Sequence, residues 1–374
     1  MKHLRRESLL ADGGCPIWAS AAGEAYKMLR PVALSCLSLL ALAACNSSGD
    51  AGSRDQIRVV GSSTVYPFAT AVAEQFKNKN PQFKSPIIES TGTGAGIKLF
   101  CAGVGASHPD IATASRRMKA TEFEMCKKNG VSNIIEVQIG LDGIAFAESS
   151  KGIKLALTVT DIYKALAANP FGMPQTAKTW KEVNPALPAE PIKVYGPPST
   201  SGTRDALAEL IMTRGCDTDA GMRDLAASGS KAEEHKRTCT TIREDGAYID
   251  AGENDNLIVQ KIEADPKAIG VFGFSFVSEN SEKLYANTVN GVTPSYETIT
   301  DFSYPGARPL YIYVKKQHVK AIAGLQQYLA EFANGWGNDG YLKRRGMIVA
   351  PAQVQTQAGA VVKDLTALDP KGLK

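Results

Sequence analysis

The sequence predicts an α/β fold in which mainly parallel sheets are covered on both faces by helices. Three observations lead there. Short apolar strands alternate with amphipathic segments over most of the chain. The clearest strands each run into a turn rich in Gly, Ser and Thr that opens a helix. The 374 residues, 44% of them hydrophobic, suffice for two lobes with a large buried core.

The elements follow in order. Ile57-Arg58-Val59-Val60 is a strand ending in Gly61-Ser62-Ser63-Thr64, and Val65, Phe68, Val72 and Phe76 form one apolar stripe of the next helix. Ile87-Ile88-Glu89 is a second strand, followed by a turn through Gly92-Thr93-Gly94 and a helix from Ala95 to Cys101. Asp110-Ile111-Ala112-Thr113 leads to Ala114-Ser115-Arg116-Arg117 and a helix near Thr121–Asn129. Ile134–Ile139 and Gly143–Glu148 flank Asp142 and read as one strand carrying the chain into a second lobe. There Ile192–Tyr195 is a strand, Gly196–Thr203 its turn, and Arg204, Leu207, Leu210 and Ile211 mark a helix. Ala268–Phe274 is a buried strand, and Leu310–Val314 returns towards the first lobe. Ile322, Leu325, Leu329 and Phe332 are one core stripe of a helix. We expect residues 56–140 and 305–374 to form the first lobe and 141–304 the second.

The amino terminus indicates export. Val32–Ala44 is a 13-residue uncharged apolar stretch after Lys27 and Arg30, too short to span a bilayer and shaped like a signal-peptide core. Leu42-Ala43-Ala44-Cys45, followed by Asn46-Ser47-Ser48-Gly49, resembles the lipobox of bacterial lipoproteins. That resemblance implies removal of residues 1–44, lipidation of Cys45 and a tether over 45–55. Residues 1–27 serve neither purpose, and Met28 makes a tidier start of translation.

An oxidising compartment makes Cys101, Cys126, Cys216 and Cys239 disulfide candidates. Of three connectivities, Cys101–Cys126 with Cys216–Cys239 is favoured, since each pair straddles one short stretch. The four histidines are scattered, and His235 with Cys239 lacks two further ligands nearby, so no metal and no cofactor is expected. With 42 Lys+Arg against 38 Asp+Glu, the net charge of +4 is too balanced for a nucleic-acid partner.

The chemistry lies in three polar turns. Gly61-Ser62-Ser63-Thr64, Gly92-Thr93-Gly94 and Ser201-Gly202-Thr203 each leave a strand and open a helix. The first turn of a helix has unpaired N–H groups and the positive end of the macrodipole, so it attracts an anion. Glycine lets backbone approach a ligand, and Ser or Thr hydroxyls donate further bonds. In an open α/β sheet these turns sit at the carboxyl ends of the strands, where ligands bind. A nucleotide loop is excluded by spacing. Gly92–Lys98 fits neither G-x-x-x-x-G-K-[ST] nor G-x-G-x-x-G, and Ser201 lacks the G-x-S-x-G elbow.

Four segments in this order, GSSTVYPF (Gly61–Phe68), STGTGAGIK (Ser90–Lys98), DIATASRRM (Asp110–Met118) and STSGTRDA (Ser199–Ala206), resemble the phosphate-binding proteins of bacterial high-affinity phosphate ABC transporters. The resemblance covers most of residues 56–350. It implies a two-lobed type II periplasmic-binding-protein fold, two mainly parallel sheets joined by two crossover strands and closing on one phosphate. By motif match the ligand contacts are Ser63, Thr64 and Val65, then Thr93 and Gly94, then Ser115 and Arg116, then Ser201, Gly202, Thr203 and Arg204.

Better-known members carry an Asp after the Ser of the third motif, accepting the phosphate proton, and an Arg four residues before Ser201. Here those positions are Arg116 and Pro197. A branch with Ser-Arg in the third motif and Arg after Ser-Gly-Thr fits Arg116 and Arg204, leaving charge from two guanidiniums. Asp142 or Asp245 is then the candidate proton acceptor, and Asn254 a further polar contact. The partners implied are inorganic phosphate and a membrane permease, with the chain acting as a lipid-anchored monomer. Rival readings are a binder of sulfate, molybdate or a phosphonate, and a secreted phosphatase with Ser63 or Thr64 as nucleophile.

Overall fold

A computed structural model describes residues 54–199, 201–252 and 254–373. The expected signal segment, Cys45 and the tether up to Ser53 lie outside the described residues.

The first lobe begins with β1 (Arg58–Gly61), α1 (Tyr66–Lys79), β2 (Ile87–Ser90), α2 (Thr93–Phe100), β3 (Ile111–Ala114) and α3 (Ala120–Lys128). β4 (Ile134–Ser149) then crosses to the second lobe, which holds β5 (Ala156–Leu157), β6 (Val194–Gly196), β7 (Tyr248–Asp250), β8 (Ile269–Gly273), β9 (Leu284–Ala286) and β10 (Thr288–Val289). β11 (Ala307–Lys315) crosses back. Among the described residues, nine strands join in the order β2-β1-β3-β11-β4-β8-β6-β7, with β9 beside β4, while β5 and β10 pair separately. β1 is parallel to β2 and β3, and β6 is parallel to β7 and β8. The crossover strands run antiparallel to each other, with Asp142 opposite Arg308. Two mainly parallel sheets joined by two crossover strands is the architecture the sequence led us to expect.

The buried residues divide in the same way. Phe68, Val72 and Phe76 of α1 pack with Ile322, Leu325, Leu329 and Phe332 on one face of the first sheet. Ile97, Phe100 and Phe123 cover the other face with Tyr313. A separate core spans Leu141 to Ala307 and takes in Ile348 from the carboxyl-terminal segment. Burying each large apolar side chain contributes about 1.5–3 kcal/mol. The apolar stripe at 322–332 is core as read, although the helix itself starts at Leu325.

Two boundaries moved in ways that matter for the site. α2 starts at Thr93 rather than Ala95, because Gly92 sits at φ 79° and turns the chain sharply into the helix. The helix after β6 opens at Gly202, capped by Ser201, and continues through a π-helical turn at Leu207–Met212. Both changes put the Ser/Thr motif inside the first helical turn. The two disulfides are Cys101–Cys126 and Cys216–Cys239, the pairing favoured from spacing. Among the described residues, no helix is long and apolar enough to cross a membrane.

Candidate anion site between the lobes

The first turn, between β1 and α1, projects from the carboxyl end of its strand. Ser62 N–H is held by the Thr113 carbonyl at 3.0 Å, and the Ser62 carbonyl accepts from Tyr66 N–H at 3.0 Å. This closes the loop around Ser63 and Thr64 and leaves their side chains facing the second lobe. Ser63 Oγ donates to Asp205, and Thr64 Oγ1 donates to the Gly202 carbonyl at 3.0 Å. The contact is close enough that a methyl group on Gly202 would lie 2.5 Å from both Thr64 Cα and its nitrogen. Val65 caps α1 and is fully buried.

Thr93 and Ser115 form a second pair of hydroxyls, both buried. Ser115 N–H donates to Thr93 Oγ1 at 3.1 Å, and the Thr93 hydroxyl donates to Ser115 Oγ at 3.0 Å. Ser115 Oγ also donates to Glu209 Oε2, at 3.3 Å, across to the second lobe. Gly94 follows Thr93 in the first turn of α2, with open space where a side chain would stand. On the other side Ser201 Oγ accepts from Thr203 N–H at 3.2 Å, fixing the helix opening.

The guanidiniums are arranged differently from the expectation. Arg116 forks onto Glu122 of α3, at 2.9 and 2.7 Å. Burial alone would raise the Glu122 carboxyl, but Arg116 and the Lys119 N–H outweigh it and hold it below the usual carboxylate range. Arg204 lies over the Tyr248 ring, 4.2 Å from its centroid. Each of the two cations carried over from the sequence is thus already engaged.

The central cation is one that the sequence reading missed. Arg308 of β11 is 2% exposed. It donates to Asp142 at 3.0 Å, to Glu209 at 3.3 Å, to the Gly202 carbonyl at 3.2 Å and to Thr64 Oγ1. Asp142 is therefore at the cleft, but it is paired. Asp245 is not there. It pairs with Arg243 ahead of β7, at the opposite end of the strand from the turns. The buried Arg243 is pinned in turn by the Ala165 and Ala177 carbonyls. Asn254 is exposed and accepts from Asn256 N–H at 3.0 Å, capping the helix Asp255–Ala264.

Asp205 and Glu209 also escaped notice, though a signal existed. Ser201, Asp205 and Glu209 recur every four residues, opposite the apolar Leu207, Leu210 and Ile211. Arg308 had a signal too, as a charge inside an apolar strand.

The turns bring hydroxyls from the first lobe against the second, where Ser63, Thr64 and Ser115 donate to Asp205, the Gly202 carbonyl and Glu209, partners that an anion between the lobes would replace. The arrangement suits an anion. Among the described residues no histidine is within its network: His318 is held by Asp110 at 2.7 Å and His235 by Asp217 at 2.7 Å. Cys216, His235 and Cys239 lie together, but the two sulfurs are joined to each other.

An interlobe oxyanion cleft on two crossover strands defines a class of solute-binding protein, and sequence comparison agrees. A model of the PBP superfamily domain matches residues 46–335, and the chain belongs to that superfamily. Among its relatives is protein SphX of Synechococcus elongatus, 32% identical over 344 residues, covering 88% of this chain and 89% of that one. Phosphate-binding protein PstS of Staphylococcus saprophyticus is 28% identical over 342 residues, 89% of this chain and 93% of the relative. The crystal structure of a possible phosphate binding protein from Planctomyces limnophilus matches with a TM-score of 0.66 at 28% identity, over 83% of this chain and 98% of that one.

Proposed function

We propose that this chain is the extracytoplasmic substrate-binding subunit of an ABC transporter. It captures inorganic phosphate between its lobes and delivers it to a membrane permease, while Cys45 holds it to the membrane by a lipid. The observation carrying this is the meeting of Thr64 with Gly202, where anion-binding helix openings from opposite lobes converge. Relatives named as phosphate-binding, matched over most of their length, support the choice of ligand.

The magnitudes suffice. Micromolar binding corresponds to about −8 kcal/mol. Hydrogen bonds to a charged group contribute roughly 1.5–3 kcal/mol each, so the hydroxyls and first-turn amides supply it without a metal. The ligand contacts proposed are Ser63, Thr64, Val65, Thr93, Gly94, Ser115 and Ser201–Thr203, with Arg308 holding the frame. Arg116 and Arg204 join only by leaving their present partners. Glu209 takes the role first considered for Asp142 and Asp245. Both acids accept from Arg308, but the Glu209 carboxylate is also bonded to Ser115 and is 42% exposed, whereas Asp142 is 18% exposed. A carboxylate there accepts the proton of a protonated phosphate and repels sulfate, which has none to give.

Turnover is not part of this reading, since among the described residues no histidine is hydrogen-bonded to Ser63 or Thr64. A thermal-shift series tests the proposal. Phosphate and arsenate should raise the melting temperature, with stabilisation of about 2.7 kcal/mol at a hundred times the dissociation constant. A response confined to sulfate or molybdate would transfer the site to that anion. No response to any of the four would end the anion reading.

A further inference from the structure

We infer that the π-helical turn Leu207–Met212 is the element that gives the cleft its choice of anion, and that Thr213, which holds the turn, is the positioning residue for Glu209. The inference rests on the phosphate reading above and deepens it, by assigning what aims the discriminating carboxylate.

Residues Gly202–Cys216 run as one continuous helix, regular at both ends and π-helical over Leu207–Met212. In a regular α-helix seven residues make about two full turns, so positions i and i+7 share a face. Here they do not. Glu209 is exposed at the cleft, while Cys216 is buried in the second-lobe core and joined to Cys239. Asp205 accepts from Ser63 of the first lobe, while Met212 is fully buried in the second-lobe core. Leu207 is buried and Arg214 exposed. One extra residue in the turn, about 100° of rotation, accounts for each mismatch. The π turn thus sends Asp205 and Glu209 to the cleft and Met212 and Cys216 to the core.

Neither end of the helix is free to rotate and do without it. A methyl group on Gly202 would lie 2.5 Å from the Thr64 backbone, and one on Gly215 would lie 2.2 Å from the Val159 carbonyl. Thr213 holds the extra residue in place. Its N–H and its hydroxyl both donate to the Ala208 carbonyl, five residues back, the hydroxyl at 2.9 Å. Side-chain donation into a helix carbonyl distorts the ladder at that point. The turn leaves Glu209 Oε2 3.3 Å from Ser115 Oγ and 3.3 Å from the Arg308 guanidinium. Thr213 acts on the ligand through that carboxylate.

The experiment titrates the full chain with phosphate and with sulfate by calorimetry, in wild type, Thr213→Val, Thr213→Ser and a variant with Ala208 deleted. Thr213→Val keeps the shape of the side chain and removes its donor. It should narrow the preference for phosphate at least about threefold, and Thr213→Ser should restore it. Deleting Ala208 removes the extra residue and should narrow the preference about tenfold or more. Should the deletion fold poorly, the Val and Ser variants decide. In a Glu209→Gln background Thr213→Val should change the preference no further, because the carboxylate it positions is gone. Weakening of both anions alike by Thr213→Val would mark a merely structural residue and overturn the inference. So would an unchanged preference, or an effect undiminished without the Glu209 carboxylate, and each of these leaves phosphate capture standing. Failure of the wild-type chain to bind phosphate would remove that reading and this inference together.

Discussion

Arg308 and Asp142 are register partners on the two crossover strands, and their side chains meet at 3.0 Å. From that anchor the same guanidinium reaches Thr64 of one lobe and the Gly202 carbonyl of the other. One buried cation thus ties the hinge to the point where the lobes meet. Breaking a buried pair costs more than the pair contributes, because a carboxylate is left uncompensated. Arg308→Met should destabilise the fold by about 3 kcal/mol in urea denaturation and weaken phosphate binding as well. Arg308→Lys should restore part of the stability and little of the binding, since an ammonium cannot fork across four partners. A fully stable Met variant would show that the network is dispensable.

Gly202 is where a single methyl group reports on closure. Its Cβ would overlap the Thr64 backbone at 2.5 Å, and the listening partner there is main chain, which cannot rotate aside. Overpacking of this kind costs roughly 1–3 kcal/mol. Gly202→Ala should therefore lower phosphate affinity about tenfold to a hundredfold in calorimetry while leaving each lobe folded. Unchanged affinity would mean that the ligand does not need this contact.

Arg116 is held in reserve by Glu122. Glu122→Gln keeps an acceptor for the Lys119 N–H, now bonded at 2.8 Å, but removes the charge that neutralises the guanidinium. Phosphate should bind about threefold more tightly, with a steeper loss of affinity on adding salt. An unaltered affinity and salt dependence would place Arg116 outside the site.

Lys315 gives a pH-dependent stability term far from the cleft. Burial pushes its ammonium down to about 8 against an ordinary value of 10.5, even though it donates to the Gly103 carbonyl at 2.6 Å. Between about 8 and 10.5 the unfolded chain binds this proton and the folded chain does not, so stability rises with pH across that window. Below about 8 both states carry the charge and the folded state bears the cost of burying it. Denaturation of wild type and Lys315→Met from pH 7 to 10 should show a rising difference curve that the variant lacks. Parallel curves would contradict it.

Much of the fold was legible because strands and helix openings are local events. β1 to β4 and their turns fall within a residue or two of where the apolar runs end. The site was legible where its chemistry is carried by a turn, as at Ser63–Thr64 and Ser201–Thr203. It was illegible where the partner is distant in sequence. Arg308 stands 244 residues from Thr64, and no local pattern connects them. Asp245 misled for the converse reason: an acid in a polar turn looks the same from sequence whether it faces a ligand or, as here, a neighbouring Arg243.

The most direct measurement is a calorimetric titration of the purified chain with phosphate and then with sulfate, repeated on Glu209→Gln. We expect one phosphate per chain, little sulfate binding, and a preference that narrows about tenfold or more when the carboxylate is neutralised. Absence of saturable phosphate binding in the wild-type protein would contradict the account.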